Sequence, residues 1–88
     1  MTSGMRGADP EQLAALSKKL TQQGQAVTAL KTDISGAITG TTWEGPAQQQ
    51  FVQNWETNYS KSLDQLAQGL AQLGDECQRR AEAVRQVL

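Results

Sequence analysis

The sequence predicts an all-α fold, an antiparallel hairpin of two long helices that pairs with a second hairpin into a four-helix bundle dimer. Apolar residues recur at steps of three, four and seven in both halves of the chain, which is the spacing of a helical seam. Between the halves, Gly45 and Pro46 have the strongest turn chemistry in the sequence. Residues 1–88 are therefore expected to form one domain, too small to close a core without a partner.

The first helix is predicted over about residues 10–38, after a flexible tail at residues 1–8. Asp9 is placed to accept hydrogen bonds from the first-turn N–H groups, and Pro10 suits the first helical position. Gln23 is the polar member of its seam, either simply solvated or fixing the register of the pairing. The apolar seam residues are Leu13, Leu16, Leu20, Val27, Leu30 and Ile34.

The second helix is predicted over about residues 46–87, after a loop at residues 39–45. Arg80 interrupts its seam, where its long stem can cover apolar neighbours. The aromatic residues at the start of this helix are predicted to be core. The seam residues are Phe51, Val52, Trp55, Tyr59, Leu63, Leu66, Leu70, Leu73 and Cys77, continued by Val84 and Val87. Three glycines are predicted only to lower helix propensity, namely Gly24, Gly69 and Gly74.

Composition excludes several classes of function. A net charge of −1 with interspersed signs leaves no basic face for nucleic acid. No apolar run approaches the roughly 18–20 residues of a membrane span, so no stable membrane insertion is expected. The chain has no histidine, and Cys77 is expected to be a small hydrophobic seam residue, with a covalent dimer as a minor alternative. We predict a non-enzymatic protein without catalytic, cofactor-binding or metal-binding residues.

Trp43-Glu44-Gly45 lies at the midpoint of the chain, between the two seams, and Phe51 and Trp55 follow it. In this arrangement nearly the whole chain resembles the WXG100 family, the small ESAT-6-like substrates of type VII (ESX) secretion in actinobacteria and other Gram-positive bacteria. The resemblance implies a homo- or heterodimeric bundle that an ATPase-driven membrane machine exports in folded form. A cytosolic helical-bundle adaptor or regulator that dimerises without export is the alternative.

The N-terminal residues 1–9 contain Arg6 but no apolar stretch, so no cleavable secretory signal is predicted. The resemblance implies instead a composite signal, in which the Trp-x-Gly loop lies beside a Tyr-x-x-x-Asp/Glu tail of the partner. Here Tyr59 has Leu63 four residues on. We therefore expect the ESAT-6-like half of a heterodimer with a second WXG100-type protein, with a homodimer as the alternative.

Trp43 has two interpretations, because the seam offers it no position. It either folds down to cap its own hairpin, or it remains partly exposed as one wall of a groove beside the partner's tail. The resemblance favours the second interpretation and makes Trp43 and Gly45 the predicted secretion-motif residues. The protein is then expected to be made in the bacterial cytoplasm and secreted by a type VII system that includes a secretion ATPase.

Overall fold

The computed structural model describes residues 8–87 and confirms the all-α helical hairpin. Helix α1 spans Pro10–Thr39, helix α2 spans Pro46–Asn54, and helix α3 spans Lys61–Val87. A π-helical turn, Trp55–Ser60, joins α2 to α3, so that these three elements form one continuous second arm. The hairpin measures 63 Å by 19 Å by 18 Å. No helix within the described residues is both long enough and apolar enough to cross a membrane.

The ends of α1 follow from local capping chemistry. The Asp9 carboxylate accepts a hydrogen bond from the Glu11 N–H at 2.9 Å, and Pro10 occupies the first turn, as the sequence predicts. At the other end, the Gly40 N–H donates to the Gly36 carbonyl at 2.9 Å. Of the predicted tail, residues 1–7 lie outside the described residues.

Two polar contacts between the arms set their antiparallel register. The Ser17 hydroxyl donates a buried hydrogen bond to the Gly74 carbonyl at 2.7 Å. Further toward the loop, the Lys31 ammonium lies 2.7 Å from the Asp64 carboxylate. Since the Asp64 side chain is half exposed, this ion pair contributes at most about 1 kcal/mol. Its main effect is to oppose sliding of one arm along the other.

Two buried glycines allow the arms to approach closely. A Cβ atom on Gly74 would lie 2.9 Å from the Thr21 hydroxyl oxygen and 3.1 Å from the Ser17 carbonyl oxygen. A Cβ atom on Gly24 would lie 3.3 Å from the Ala67 carbonyl oxygen. The sequence predicts these glycines only as weak points in helix propensity. The structure gives them a packing role, because each leaves room for the backbone of the opposite helix.

The contact between the arms is an inner seam that repeats at steps of four and three, and all its members are buried or half-buried. On α1 it consists of Leu13, Ser17, Leu20, Gly24, Val27, Lys31, Ile34 and Ile38. On the second arm, from the π turn onward, it consists of Ser60, Leu63, Ala67, Leu70, Gly74, Cys77, Ala81 and Val84. Among the described residues Ala81 is the one buried hydrophobic side chain, at 0% exposure. Its neighbour Arg80, predicted to lie in the seam, has a side chain that is 68% exposed.

The close approach predicts opposite effects for two Gly→Ala substitutions in α3. We expect Gly74→Ala to lower the free energy of unfolding by about 1–2 kcal/mol, since the backbone of α1 must move to accept the methyl group. Gly69→Ala is the matched control. Nothing lies within 4 Å of its added Cβ atom, so we expect a gain of about 0.5–1 kcal/mol from helix propensity. Urea unfolding followed by circular dichroism at one protein concentration measures both, and equal effects would contradict the packing role.

Candidate functional site

The loop at residues 40–45 closes the hairpin and carries the Trp-x-Gly motif. Gly45 has φ of 109° and ψ of 179°, and it is the one residue with positive φ among those described. This conformation is open to glycine and strained for other residues. Pro46 begins α2 directly afterwards, and the Gln49 N–H donates to the Gly45 carbonyl at 3.1 Å. The loop direction therefore depends on Gly45, as the turn chemistry predicts.

The Trp43 indole packs against Phe51, in the second turn of α2. Their ring centroids lie 5.4 Å apart and the ring planes are tilted by 57°, a favourable geometry for two aromatic rings. Both rings nevertheless stay open to solvent, with exposures of 43% for Trp43 and 50% for Phe51. The pair is thus fixed in position by mutual contact, yet it presents a large aromatic surface at the tip of the hairpin.

Two open depressions flank this pair. One, of about 640 Å³, extends from Trp43 and Phe51 along α2 to Asn58. The other, of about 320 Å³, lies between the pair and the end of α1 at Ile34 and Ile38, and its lining is mostly apolar. The Trp43–Phe51 pair therefore forms a wall shared by these two grooves, and either groove is open enough to accept a side chain or a segment from another molecule.

The other tryptophan has a different environment. Trp55 is half-buried between the arms, and its indole N–H donates to the Ser35 hydroxyl at 3.0 Å. This hydrogen bond joins the π turn to the last turns of α1. Trp55 therefore stabilises the hairpin, whereas Trp43 remains available at its tip.

A second row of side chains, here called the outer stripe, runs along each arm. Its members directly precede every second position of the inner seam in the sequence. All its members are exposed. On α1 the outer stripe consists of Leu16, Gln23, Leu30 and Ala37, and on the second arm of Phe51, Tyr59, Leu66, Leu73, Arg80 and Val87. The leucines are about half exposed, from 47% at Leu16 to 51% at Leu73. Large apolar side chains at this spacing form a continuous face rather than scattered surface residues.

The outer stripes of the two arms lie on the same side of the hairpin. At the loop end, Ala37 of α1 and Phe51 of α2 line one depression together. In an antiparallel helix pair, corresponding flanking positions of the two helices are neighbours along the whole length. On the opposite side, a depression is lined by small and polar residues, among them Thr21, Thr28 and Gln68, and by no large apolar side chain. The hairpin therefore has one face with large apolar side chains and an opposite face with small and polar residues, here called the polar face.

The predicted seam residues divide between these two rows. Nine are half-buried between the arms: Leu13, Leu20, Val27, Ile34, Val52, Trp55, Leu63, Leu70 and Cys77. Six are exposed in the outer stripe: Leu16, Leu30, Phe51, Tyr59, Leu66 and Leu73. Tyr59 and Phe51, predicted as core, are not enclosed by the hairpin itself. For Tyr59 the reason is the π turn, which adds one residue before the next seam position at Ser60.

Sequence reasoning missed the small residues of the inner seam, which are Ser17, Gly24, Ala67, Gly74 and Ala81. A signal for them was present. They continue the four-and-three spacing between the apolar residues of the inner seam, at positions where leucine would have been expected. Small residues at such spacing favour close helix packing, and counting only large apolar residues conceals the pattern.

The comparisons with known proteins give one match. The model of a family described as WXG100, proteins of 100 residues with WXG, matches residues 7–87. The matched span contains the Trp43-Glu44-Gly45 loop and both arms. Comparison with curated proteins and with solved structures gives no match.

Truncation of Trp55 and of Trp43 is expected to lower the free energy of unfolding by different amounts. We expect Trp55→Ala to lower the free energy of unfolding by about 2–4 kcal/mol, because it removes half-buried surface and leaves the Ser35 hydroxyl without its donor. For Trp43→Ala we expect a loss below about 1 kcal/mol, since much of that indole is already in water. Urea unfolding at one protein concentration measures both changes in the free energy of unfolding. An equal loss for Trp43→Ala would identify it as a cap of its own hairpin.

Proposed function

The chain belongs to the WXG100 family, and from that premise we propose that it is a substrate or co-secreted partner of a type VII (ESX) secretion system. It is a small helical protein of the ESAT-6-like type, in a non-enzymatic family associated with secretion. The observation that carries the proposal is the Trp43 indole, held by Phe51 at the hairpin tip with 43% of its surface exposed. A fixed, accessible aromatic ring is suited to recognition.

The function requires a partner hairpin, and we propose that it covers the outer stripe. WXG100 proteins typically pair with each other. Within residues 8–87, one hairpin alone encloses a single hydrophobic side chain completely, Ala81. Its leucines in the outer stripe remain half exposed, and covering the exposed half of each contributes about 1 kcal/mol. A second hairpin with a similar apolar face would supply the missing half of the core in a four-helix bundle.

The partner that we favour is a different WXG100-type protein. Tyr59 is the one tyrosine in this sequence, and the residue four positions on is Leu63 rather than an acid. In the composite signal that we propose, this chain contributes the Trp43-Glu44-Gly45 loop, and the partner contributes the Tyr-x-x-x-Asp/Glu tail. The secretion ATPase would recognise the two parts together on the folded dimer. In the hairpin, all three residues of this loop are exposed.

The export claim is tested in the native host by probing culture filtrate. Deleting the secretion ATPase should remove the protein from the filtrate while it persists in the cell. Trp43→Ala should lower export by about tenfold or more, since one exposed anchor residue commonly carries 1–3 kcal/mol of recognition. Thr42→Ala, at an exposed position of the same loop but outside the Trp-x-Gly motif, is the matched control and should retain export. Unchanged export in the ATPase deletion would refute the proposal.

The paired face is tested with the purified chain by sedimentation equilibrium. Alone, the chain should use a second copy to cover its outer stripe and approach twice its mass of 9.5 kDa. Leu66→Asp should weaken this association by about tenfold or more while helical content is kept, because a charge replaces an exposed apolar contact. Gln68→Asp, on the polar face of the same helix, is the control. Equal effects of the two changes would place the interface elsewhere.

A further inference from the structure

The π turn is a one-residue insertion into an otherwise regular pattern. Before it, the half-buried positions of α2 are Gln48, Val52 and Trp55, at steps of four and three. After it, they continue at Ser60 and Leu63 with a step of three. The step from Trp55 to Ser60 is five, and nowhere else along the second arm does the inner seam take a step of five. A π-helical turn is the local structure that holds an extra residue without rotating the helix on either side.

The same insertion determines which side chain lies in the outer stripe. Tyr59 follows Phe51 by eight residues, and Leu66 follows Tyr59 by seven. In a regular α-helix the position seven residues after Phe51 belongs to Asn58. The π turn therefore aligns the Tyr59 ring, 57% exposed, between Phe51 and Leu66. Without it, the polar Asn58 would interrupt the apolar face.

Hydrogen bonds within the turn hold the insertion in place. The Asn58 carbonyl accepts from the Ser62 hydroxyl at 2.8 Å and from the Lys61 N–H. The Asn58 side-chain amide donates to the Asn54 side chain. The hydrogen bond from Trp55 to Ser35 opposes relaxation to a regular α-helix, because one extra residue would rotate α2 by about 100° relative to α3. That rotation would separate Trp55 from Ser35.

We propose that the π turn is a register device for the partner-binding face, and that Tyr59 is a contact residue for the partner hairpin. The inference rests on the proposed pairing through the outer stripe. Because of the turn, Trp55 lies between the arms while Tyr59 lies in the outer stripe. The occupant is a second copy of this chain, which uses the face that the favoured WXG100-type partner would otherwise cover, because the stripe is as long as the hairpin and matches a helical partner in spacing. A tyrosine suits this place, since its ring is apolar and its hydroxyl reaches the wet rim.

Two single-residue deletions test the proposal. Deleting Thr57 or deleting Tyr59 shortens the step from Trp55 to Ser60 to four residues, which a regular α-helix accommodates. Deletion of Thr57 leaves Tyr59 in the outer stripe, whereas deletion of Tyr59 places Asn58 there. Both variants should keep the helical content of the hairpin. Deletion of Gln68, in the regular part of α3, is the register control and should reduce helical content and cooperativity.

Association is measured by sedimentation equilibrium of each purified variant, with a second copy of the chain as the partner. Deletion of Thr57 should leave the dimer dissociation constant within about threefold of the original, and deletion of Tyr59 should raise it about tenfold or more. The point substitution Tyr59→Asn should raise it by the same factor, because it makes the same change in the stripe.

Three outcomes would overturn the inference. If deletion of Thr57 disrupts the hairpin as deletion of Gln68 does, the extra residue is not confined to the turn. If the Thr57 and Tyr59 deletions fold and associate equally well, Tyr59 is not a contact residue. If every variant and the original chain remain single hairpins, the face does not bind a second hairpin. None of these results depends on export, so a failed secretion experiment and a failed register experiment remain distinguishable.

Discussion

The close approach of the two arms at Gly24 and Gly74 is the constraint on which the rest of the structure depends. Backbone lies against backbone there, and the Ser17 hydroxyl bonds directly to the Gly74 carbonyl at 2.7 Å. Near these glycines the seam holds small residues such as Ala67, and leucines such as Leu20 and Leu70 occupy the alternate seam positions. The other leucines lie in the outer stripe, where one hairpin leaves them about half exposed. These half-exposed leucines support the proposed pairing with a second hairpin.

Three parts of the hairpin thus have three different roles. The inner seam and Trp55 hold the arms together, the outer stripe offers an apolar face, and the loop presents Trp43 at the tip. The separation depends on backbone features as much as on side chains. Gly45 sets the direction of the loop through its positive φ, and the π turn sets the phase of α2 against α3. Both features lie in the half of the hairpin that carries the proposed recognition site.

Much of this was predictable from the sequence, and the errors have a common cause. The spacing of apolar residues predicted both helices. Asp9, Gly45 and Pro46 predicted where the helices begin, because capping and turn preferences depend on local sequence. The sequence analysis placed all the leucines in one seam, whereas the structure divides them between the inner seam and the outer stripe. These two rows lie about 50–100° apart around a helix. Residues in both rows recur at steps of three, four and seven, so the spacing alone does not separate them. Tyr59 was predicted as core because it lies four residues after Trp55. The π turn moves the next seam position to Ser60, and helix propensities do not reveal such a one-residue insertion.

The sequence by itself determined the helices, the turn and the motif that places the chain in its family. These depend on neighbours within a few residues, whose interactions are the same in any fold. The tertiary structure alone decided which positions of the two arms face each other, which leucines remain outside, and where the helix absorbs its extra residue. Those outcomes depend on the approach of two distant backbones. Ser17 bonds to Gly74, which lies 57 positions further along the chain, and no spacing within either segment encodes that contact.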